Sequence, residues 1–231
     1  MMRFQVNVEA LSPLALPKDR STLNYQGCQD YIPGASFRGG LSGWYLQEVG
    51  GEEDSLFKGL FLSNRCKFGP FYPVNHGTQA EPIPLTARTC KTFPGFKHHE
   101  EAHGVKDLLL PLLAAKKRKD TVYGENEKLD YCPQCARPPL APVNGFMERD
   151  TEKQWDKVSL SKVIITRTAI NDLTGTVDES KLYSFIALAE GQRFSGEVEI
   201  DDQWAKEAEE IFAHQDIKLR VGRGKTRGLG L

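Results

Sequence analysis

The chain has 231 residues, 39% hydrophobic and 26% charged, with 30 Lys and Arg against 31 Asp and Glu and a formal net charge of −1. This suits one large or two small globular domains and excludes nucleic-acid binding by global charge, so any such binding must use local patches. No apolar run approaches the roughly 20 residues that span a bilayer. The opening Met1-Met2-Arg3-Phe4-Gln5-Val6 reads as a strand, not an export signal, because no apolar stretch follows it.

In chain order, residues 3–9 alternate, with Phe4, Val6 and Val8 against Gln5, Asn7 and Glu9, the period of a half-buried strand. Residues 11–33, rich in Pro, Gly, Asn and Asp, read as a loop. Pro33-Gly34 opens a helix over residues 36–49, with Phe37, Leu41, Trp44 and Tyr45 at helical spacing and Gly50-Gly51 as its stop. From residue 63 to 155 prolines are dense and periodicity is poor, and four of the five cysteines and four of the five histidines lie here. The segment reads as an insertion, residues 63–160, between two parts of one domain, residues 1–62 and 161–231.

Regular structure returns with the β-branched run 162–168. Strands follow at 182–189 and 194–200, joined by a turn at Glu190-Gly191-Gln192. Residues 201–214 form an amphipathic helix capped by Asp201 or Asp202, and Ile217, Leu219 and Val221 alternate as a last strand. Without the insertion, strand, helix, strands, helix, strand is close to a ferredoxin-like β-α-β-β-α-β layout, an α+β fold. The odd number of cysteines and the absence of an export signal speak for free thiols and a cytoplasmic setting.

Three motifs carry chemistry. The ending Arg220-Val221-Gly222-Arg223-Gly224-Lys225-Thr226-Arg227-Gly228-Leu229-Gly230-Leu231 combines glycines and cations without an acid. Such a loop lets backbone N–H groups and cationic side chains cradle phosphates. It is no nucleotide P-loop, because Leu219 stands where that pattern needs a glycine and no helix follows. Val221, Leu229 and Leu231 supply apolar anchors, so an ordered loop is expected rather than a loose basic tail. The second motif is Ile32-Pro33-Gly34-Ala35-Ser36-Phe37-Arg38-Gly39-Gly40. Here Ser36 is placed to cap N–H groups or meet a phosphate, and Arg38 projects from the first turn. Gly39 and Gly40 each cost about 1 kcal/mol in a helix relative to Ala, so a packing or ligand reason is expected.

The third is Cys132-Pro133-Gln134-Cys135, a C-x-x-C pair able to hold tetrahedral zinc with further ligands. Cys90 is the first choice and His103 the second, with His98 and His99 as rivals for the fourth position. Weaker signals are the cationic run Lys116-Lys117-Arg118-Lys119 and Arg88 in Pro84-Leu85-Thr86-Ala87-Arg88-Thr89-Cys90-Lys91. His76 or His214 is available as a general base, and Asp19, Asp30 and Asp107 are unpartnered carboxylates in the sequence.

The two glycine-bearing motifs occur together with Arg167-Thr168-Ala169-Ile170-Asn171-Asp172-Leu173-Thr174-Gly175-Thr176 and Leu182-Tyr183-Ser184-Phe185. This set resembles the RAMP superfamily of CRISPR-Cas effector subunits. Residues 84–91, His103-Gly104-Val105 and the C-x-x-C look like the RAMP subunit specific to type III-D systems. The resemblance implies an RNA-recognition-like fold and a guide-RNA (crRNA) backbone site formed by Gly34, Ser36, Arg38 and residues 222–228. It also implies assembly with other RAMP subunits and a large subunit into a ribonucleoprotein that recognises invading RNA. Some members of the family cut RNA; here only Asp19 and Asp30 offer themselves, so a non-catalytic subunit is expected, with an endoribonuclease or a purely structural subunit as rivals. The resemblance also implies a closing strand after the glycine loop, which residues 229–231 are too few to supply.

Overall fold

The structure is a computed structural model that describes all residues except 19–24, 98, 100, 118–130, 136–139, 150–153, 169–182 and 214–216. Along the chain the strands are β1 (Met2–Glu9), β2 (Tyr25–Gln26), β3 (Lys67–Asn75), β4 (Thr78–Gln79), β5 (Glu81–Pro82), β6 (Ala87–Cys90), β7 (Val105–Asp107), β8 (Leu140–Pro142), β9 (Phe146–Arg149), β10 (Trp155–Val158), β11 (Lys162–Arg167), β12 (Tyr183–Leu188) and β13 (Arg193–Ile200). The α-helices are α1 (Gly34–Glu48), α2 (Ser55–Phe57), α3 (Leu109–Lys117) and α4 (Ala205–Ala213), and a π-helical turn, Lys58–Leu62, follows α2. The chain forms two compact units, Met1–Val74 with Leu160–Leu231, and Asn75–Ser159.

In the first unit β13 lies between β1 and β3, antiparallel to both. The β1–β13 ladder runs without a break from Met2 opposite Ile200 to Glu9 opposite Arg193. Alternation in β1 turns Phe4, Val6 and Val8 toward the core and leaves Arg3, Gln5, Asn7 and Glu9 exposed. α1 buries Phe37, Leu41 and Tyr45 in this core, with the Phe37 and Phe71 ring centroids 4.1 Å apart. Each such side chain contributes about 1.5–3 kcal/mol. α4 adds Ala208 and Ile211, and Phe212 meets Phe4 at 5.2 Å. Asp201 caps the short 3-10 turn before α4 by accepting from the Gln203 N–H.

A second sheet in this unit pairs β11 with β12 antiparallel and β12 with β2 parallel. Val163, Ile165 and Phe185 on one of its faces pack against Ala15, Ala187 and Leu229.

One expected strand is corrected. Ile217, Leu219 and Val221 do turn inward onto the core, as their alternation requires, yet residues 217–221 form no ladder. The Val221 N–H instead donates to the Gly230 carbonyl at 2.7 Å. Side-chain period reports which face is buried, not whether the backbone finds a partner.

The second unit is more regular than its sequence suggests. It contains the sheets β10-β9-β5 and β7-β6-β8, together with α3. Its strands are two to four residues long, too short for a period of two to show. Its apolar cluster of Ile83, Ala87 and Phe96 is small, with Ala80, Leu108 and Phe146 also buried. Among the described residues no helix is long and apolar enough to cross a membrane.

Candidate functional site

The glycine-rich ending is an ordered loop. The Arg223 N–H donates to the Ala15 carbonyl at 2.9 Å, the Gly230 N–H to the Pro13 carbonyl at 3.0 Å, and the Leu231 N–H to Ser12 Oγ at 2.9 Å. Val221 and Leu229 are buried beneath it. Between them Lys225–Arg227 form a 3-10 turn, closed by the Arg227 N–H on the Gly224 carbonyl at 2.8 Å. Gly224 and Gly228 flank this turn at φ 77°, a conformation that side chains disfavour. The result is a backbone fixed at both ends that exposes Arg220, Arg223, Lys225, Thr226 and Arg227. Arg223 Nη1 reaches Gln26 Oε1 at 2.7 Å, and Arg227 Nη1 reaches Tyr183 Oη at 3.5 Å.

The start of α1 is built differently from expectation. Pro33 is the N-cap and no side chain caps the helix, so Ser36 does not serve that role. Its own N–H donates to the Pro33 carbonyl at 2.9 Å. Arg38 is exposed, and its Nη2 donates to the Phe61 carbonyl in the π-helical turn. The glycines divide into two kinds. A Cβ on Gly34 would stand 2.0 Å from the Phe68 carbonyl oxygen, and one on Gly40 would stand 2.9 Å from Val221 Cγ2 and 3.2 Å from the Arg220 carbonyl oxygen. Gly40 is therefore where α1 and the base of the glycine loop meet. Gly39 has nothing within 4 Å, so packing does not account for it.

In the second unit one ligand atom each from Cys90, His103, Cys132 and Cys135 lies within 4.8 Å of the others. Cys90 Sγ and Cys135 Sγ are 3.8 Å apart, and His103 Nδ1 is 3.2 Å from Cys132 Sγ. A tetrahedral zinc with Zn–S bonds of about 2.3 Å spaces its sulfurs about 3.8 Å apart, so the donor set fits that ion. β6 ends on Cys90, the C-x-x-C turn brings both its thiols, and the Phe93 N–H donates to Cys90 Sγ at 3.4 Å. The Phe93 ring centroid is 4.5 Å from that of His103. Burial acts to raise the Cys132 thiol. Hydrogen bonds from the Cys135 and Gln134 backbone, from His103 and from Cys135 outweigh it and hold the pKa at about 6. A thiol so poised is readily the thiolate that a metal needs. His99 takes no part, because its Nε2 is 2.9 Å from Asp156 Oδ1. His98 lies outside the described residues.

Four of the remaining candidates, Asp30, Asp107, Arg88 and His76, have structural partners. Asp30 pairs with Lys162 at 2.6 Å. Asp107 accepts from Thr86 Oγ1 and from the Leu109 N–H at the start of α3, and these bonds hold its carboxyl below the usual range. Arg88 donates to the Leu85 and Ala87 carbonyls at 2.8 and 2.9 Å. His76 Nδ1 lies 3.3 Å from Glu148 Oε1, which also accepts from Asn75. Lys116 and Lys117 end α3. Asp19, His214, Arg118, Lys119 and the stretch 169–182 lie outside the described residues. The thiols of Cys28 and Cys66 are buried, which raises both above the ordinary value. They are core residues.

Nothing in composition marks Arg167, Tyr183 and Phe185 as a group. The readable signal is their strand spacing, which puts Tyr183 and Phe185 on one face, but the pairing that sets Arg167 beside them is tertiary.

The first unit is thus an α+β domain with helices and an antiparallel sheet, and its glycine-rich loop is tied to the segment after β1. The chain belongs to the RAMP superfamily, whose sequence model matches residues 7–231. Solved structures share the fold, among them two from one type of complex. One is a chain of the type III-B Cmr-beta complex bound to cognate target RNA, with a TM-score of 0.56 at 11% identity over 100% of this chain and 95% of that one. The other is a chain of type III-B Cmr-beta in the apo state, with a TM-score of 0.54 at 12% identity over 99% of this chain and 95% of that one. No curated protein matches.

Proposed function

We propose that the chain is a guide-RNA-binding and assembly subunit of a type III CRISPR effector ribonucleoprotein, of III-D-like type, acting in the cytoplasm. The observation that carries the reading is the fixed glycine loop, which exposes Arg220, Arg223, Lys225, Thr226 and Arg227 with no acid among them. Around it, Gly228 leaves the backbone open to a phosphate, whereas Gly222 and Gly224 pack on Ala15 and Leu229 and Gly34 packs on Phe68, and Ser36 and Arg38 extend the site along α1. Arg88, in the second unit, adds a separate backbone contact. Membership of the RAMP superfamily and the shared fold with type III-B Cmr-beta chains support partners of the same kind: other RAMP subunits, a large subunit and, indirectly, target RNA. The order β1, α1, β3, β13, α4 supports a ferredoxin-like core, in which residues 217–221 would be the last strand.

The second unit would hold one structural zinc through Cys90, His103, Cys132 and Cys135. The ion would supply cross-links that its small apolar core does not. In this reading the subunit's role is binding and positioning rather than chemistry. Phosphate contacts fix register without reading sequence and weaken steeply with salt.

The test is guide-RNA affinity against salt for wild type and for Arg223→Ala/Lys225→Ala/Arg227→Ala. Each lost phosphate contact should lower the slope of log K against log salt by about 0.7. An unchanged affinity and slope would sink the cradle.

A further inference from the structure

Beside the loop, β12 presents two aromatic rings on one face. The Tyr183 and Phe185 centroids are 6.4 Å apart with the planes inclined by only 21°. Arg167 stands directly opposite Tyr183 in the β11–β12 ladder, its guanidinium 5.7 Å from the Phe185 centroid. Arg167 Nη2 also donates to the Arg227 carbonyl at 3.4 Å, and Arg227 Nη1 donates to Tyr183 Oη at 3.5 Å. One hydrogen bond thus joins Tyr183 to the end of the glycine loop, and a second joins Arg167 to it. Phe185 packs against Ala15, Ala187 and Leu229 and is anchored, whereas Tyr183 is 39% exposed.

We propose that Tyr183, braced by Phe185 and flanked by Arg167 and Arg227, is a stacking platform for a nucleobase of the single-stranded RNA whose phosphates the glycine loop holds. The inference rests on the guide-RNA reading and adds to it a contact that phosphates alone do not make. Single-strand binders pair a cationic backbone track with aromatic rings, because every base has a π-face and stacking tolerates any sequence. An exposed, anchored ring at the edge of a cationic loop is that arrangement in one nucleotide's reach. A ring present only to fix Arg227 would do so through its hydroxyl, which gives the test its discriminating variant.

The experiment measures binding of a labelled single-stranded oligoadenylate and of its abasic counterpart to the full chain. The proteins are wild type, Tyr183→Ala, Tyr183→Phe and the triple loop variant. Tyr183→Ala should weaken oligoadenylate binding by about 5- to 150-fold, the range for one lost aromatic stack, with the salt slope unchanged. The abasic strand should not distinguish it from wild type, and Tyr183→Phe should bind as wild type does. Equal losses in Tyr183→Phe and Tyr183→Ala would assign Tyr183 to positioning Arg227 and overturn stacking. No loss in Tyr183→Ala, or an equal loss on the abasic strand, would overturn it too. A triple loop variant with unchanged affinity and slope removes the cradle while a base-dependent Tyr183→Ala loss keeps the platform. Failure of wild type to bind either strand removes both.

Discussion

The N–H of Arg223 donates to the carbonyl of Ala15 at 2.9 Å, so the glycine loop is fastened to the segment that follows β1. The same segment receives Gly230 through Pro13 and Leu231 through Ser12. A cationic loop held in this way presents its charges in one arrangement, and less ordering entropy is lost when an anion binds.

Gly230 is the most demanding point of that fastening. Its φ is 78°, and a Cβ would lie 2.0 Å from the Val221 carbonyl oxygen. Gly228 has nearly the same φ, 77°, but open space around it. Gly228→Ala should cost only the left-handed strain of roughly 1–2 kcal/mol, a fall of a few degrees in Tm. Gly230→Ala should cost more and speed amide exchange at Arg223, read by hydrogen–deuterium exchange. Equal behaviour of the two variants would contradict the loop geometry.

The helix glycines give a second contrast. Gly39→Ala meets nothing within 4 Å and should stabilise the protein by about 1 kcal/mol through helix propensity, raising Tm by about 2–4 °C. Gly40→Ala presses on Val221 Cγ2 and the Arg220 carbonyl and should lower Tm instead. Thermal melts of the two variants decide it, since propensity alone predicts the same sign for both.

Long elements that bury one face were legible in the sequence. Phe4, Val6 and Val8 mark β1, and Phe37, Leu41 and Tyr45 mark α1, because burial writes its period into side chains. The C-x-x-C pair was legible as a ligand source for a different reason: thiols three positions apart in a turn can face one another. What was not legible depends on distant backbone. The Arg38 contact with the Phe61 carbonyl, the Asp30–Lys162 pair and the closure of Val221 on Gly230 involve partners that no local pattern announces. The short strands of the second unit escaped because two to four residues carry too little period to read.

If Cys90, His103, Cys132 and Cys135 hold zinc, elemental analysis should find one zinc per chain in wild type and a marked deficit in Cys132→Ser. Chelation should lower the melting temperature and expose residues 75–159 to protease before the first unit. With an apolar cluster as small as that of Ile83, Ala87 and Phe96, the unit would then draw part of its stability from the ion. Equal, negligible zinc in both proteins removes the claim.

Tyr45 and Asp54 set a pH limit on the first unit. Tyr45 Oη donates to Asp54 Oδ2 at 2.6 Å, while Asp54 also accepts from the Leu56 N–H to cap α2. Burial, then the Asp54 carboxylate, pushes the Tyr45 phenol up to about 12, and the hydrogen bonds from Tyr45 and Leu56 hold the Asp54 carboxyl down. A raised phenol contributes stability that is complete below about pH 10, its unfolded value, and is lost as pH rises through about 12. A depressed carboxyl contributes stability that is present above about pH 3.9, its unfolded value, and is lost as pH falls through its folded value. Denaturant melts should therefore show stability declining at both extremes. Tyr45→Phe keeps the ring against Phe57 and Phe61 but removes the hydroxyl, so it should flatten the alkaline decline and weaken the acidic one. An alkaline decline of the same depth in Tyr45→Phe would place the responsible group elsewhere.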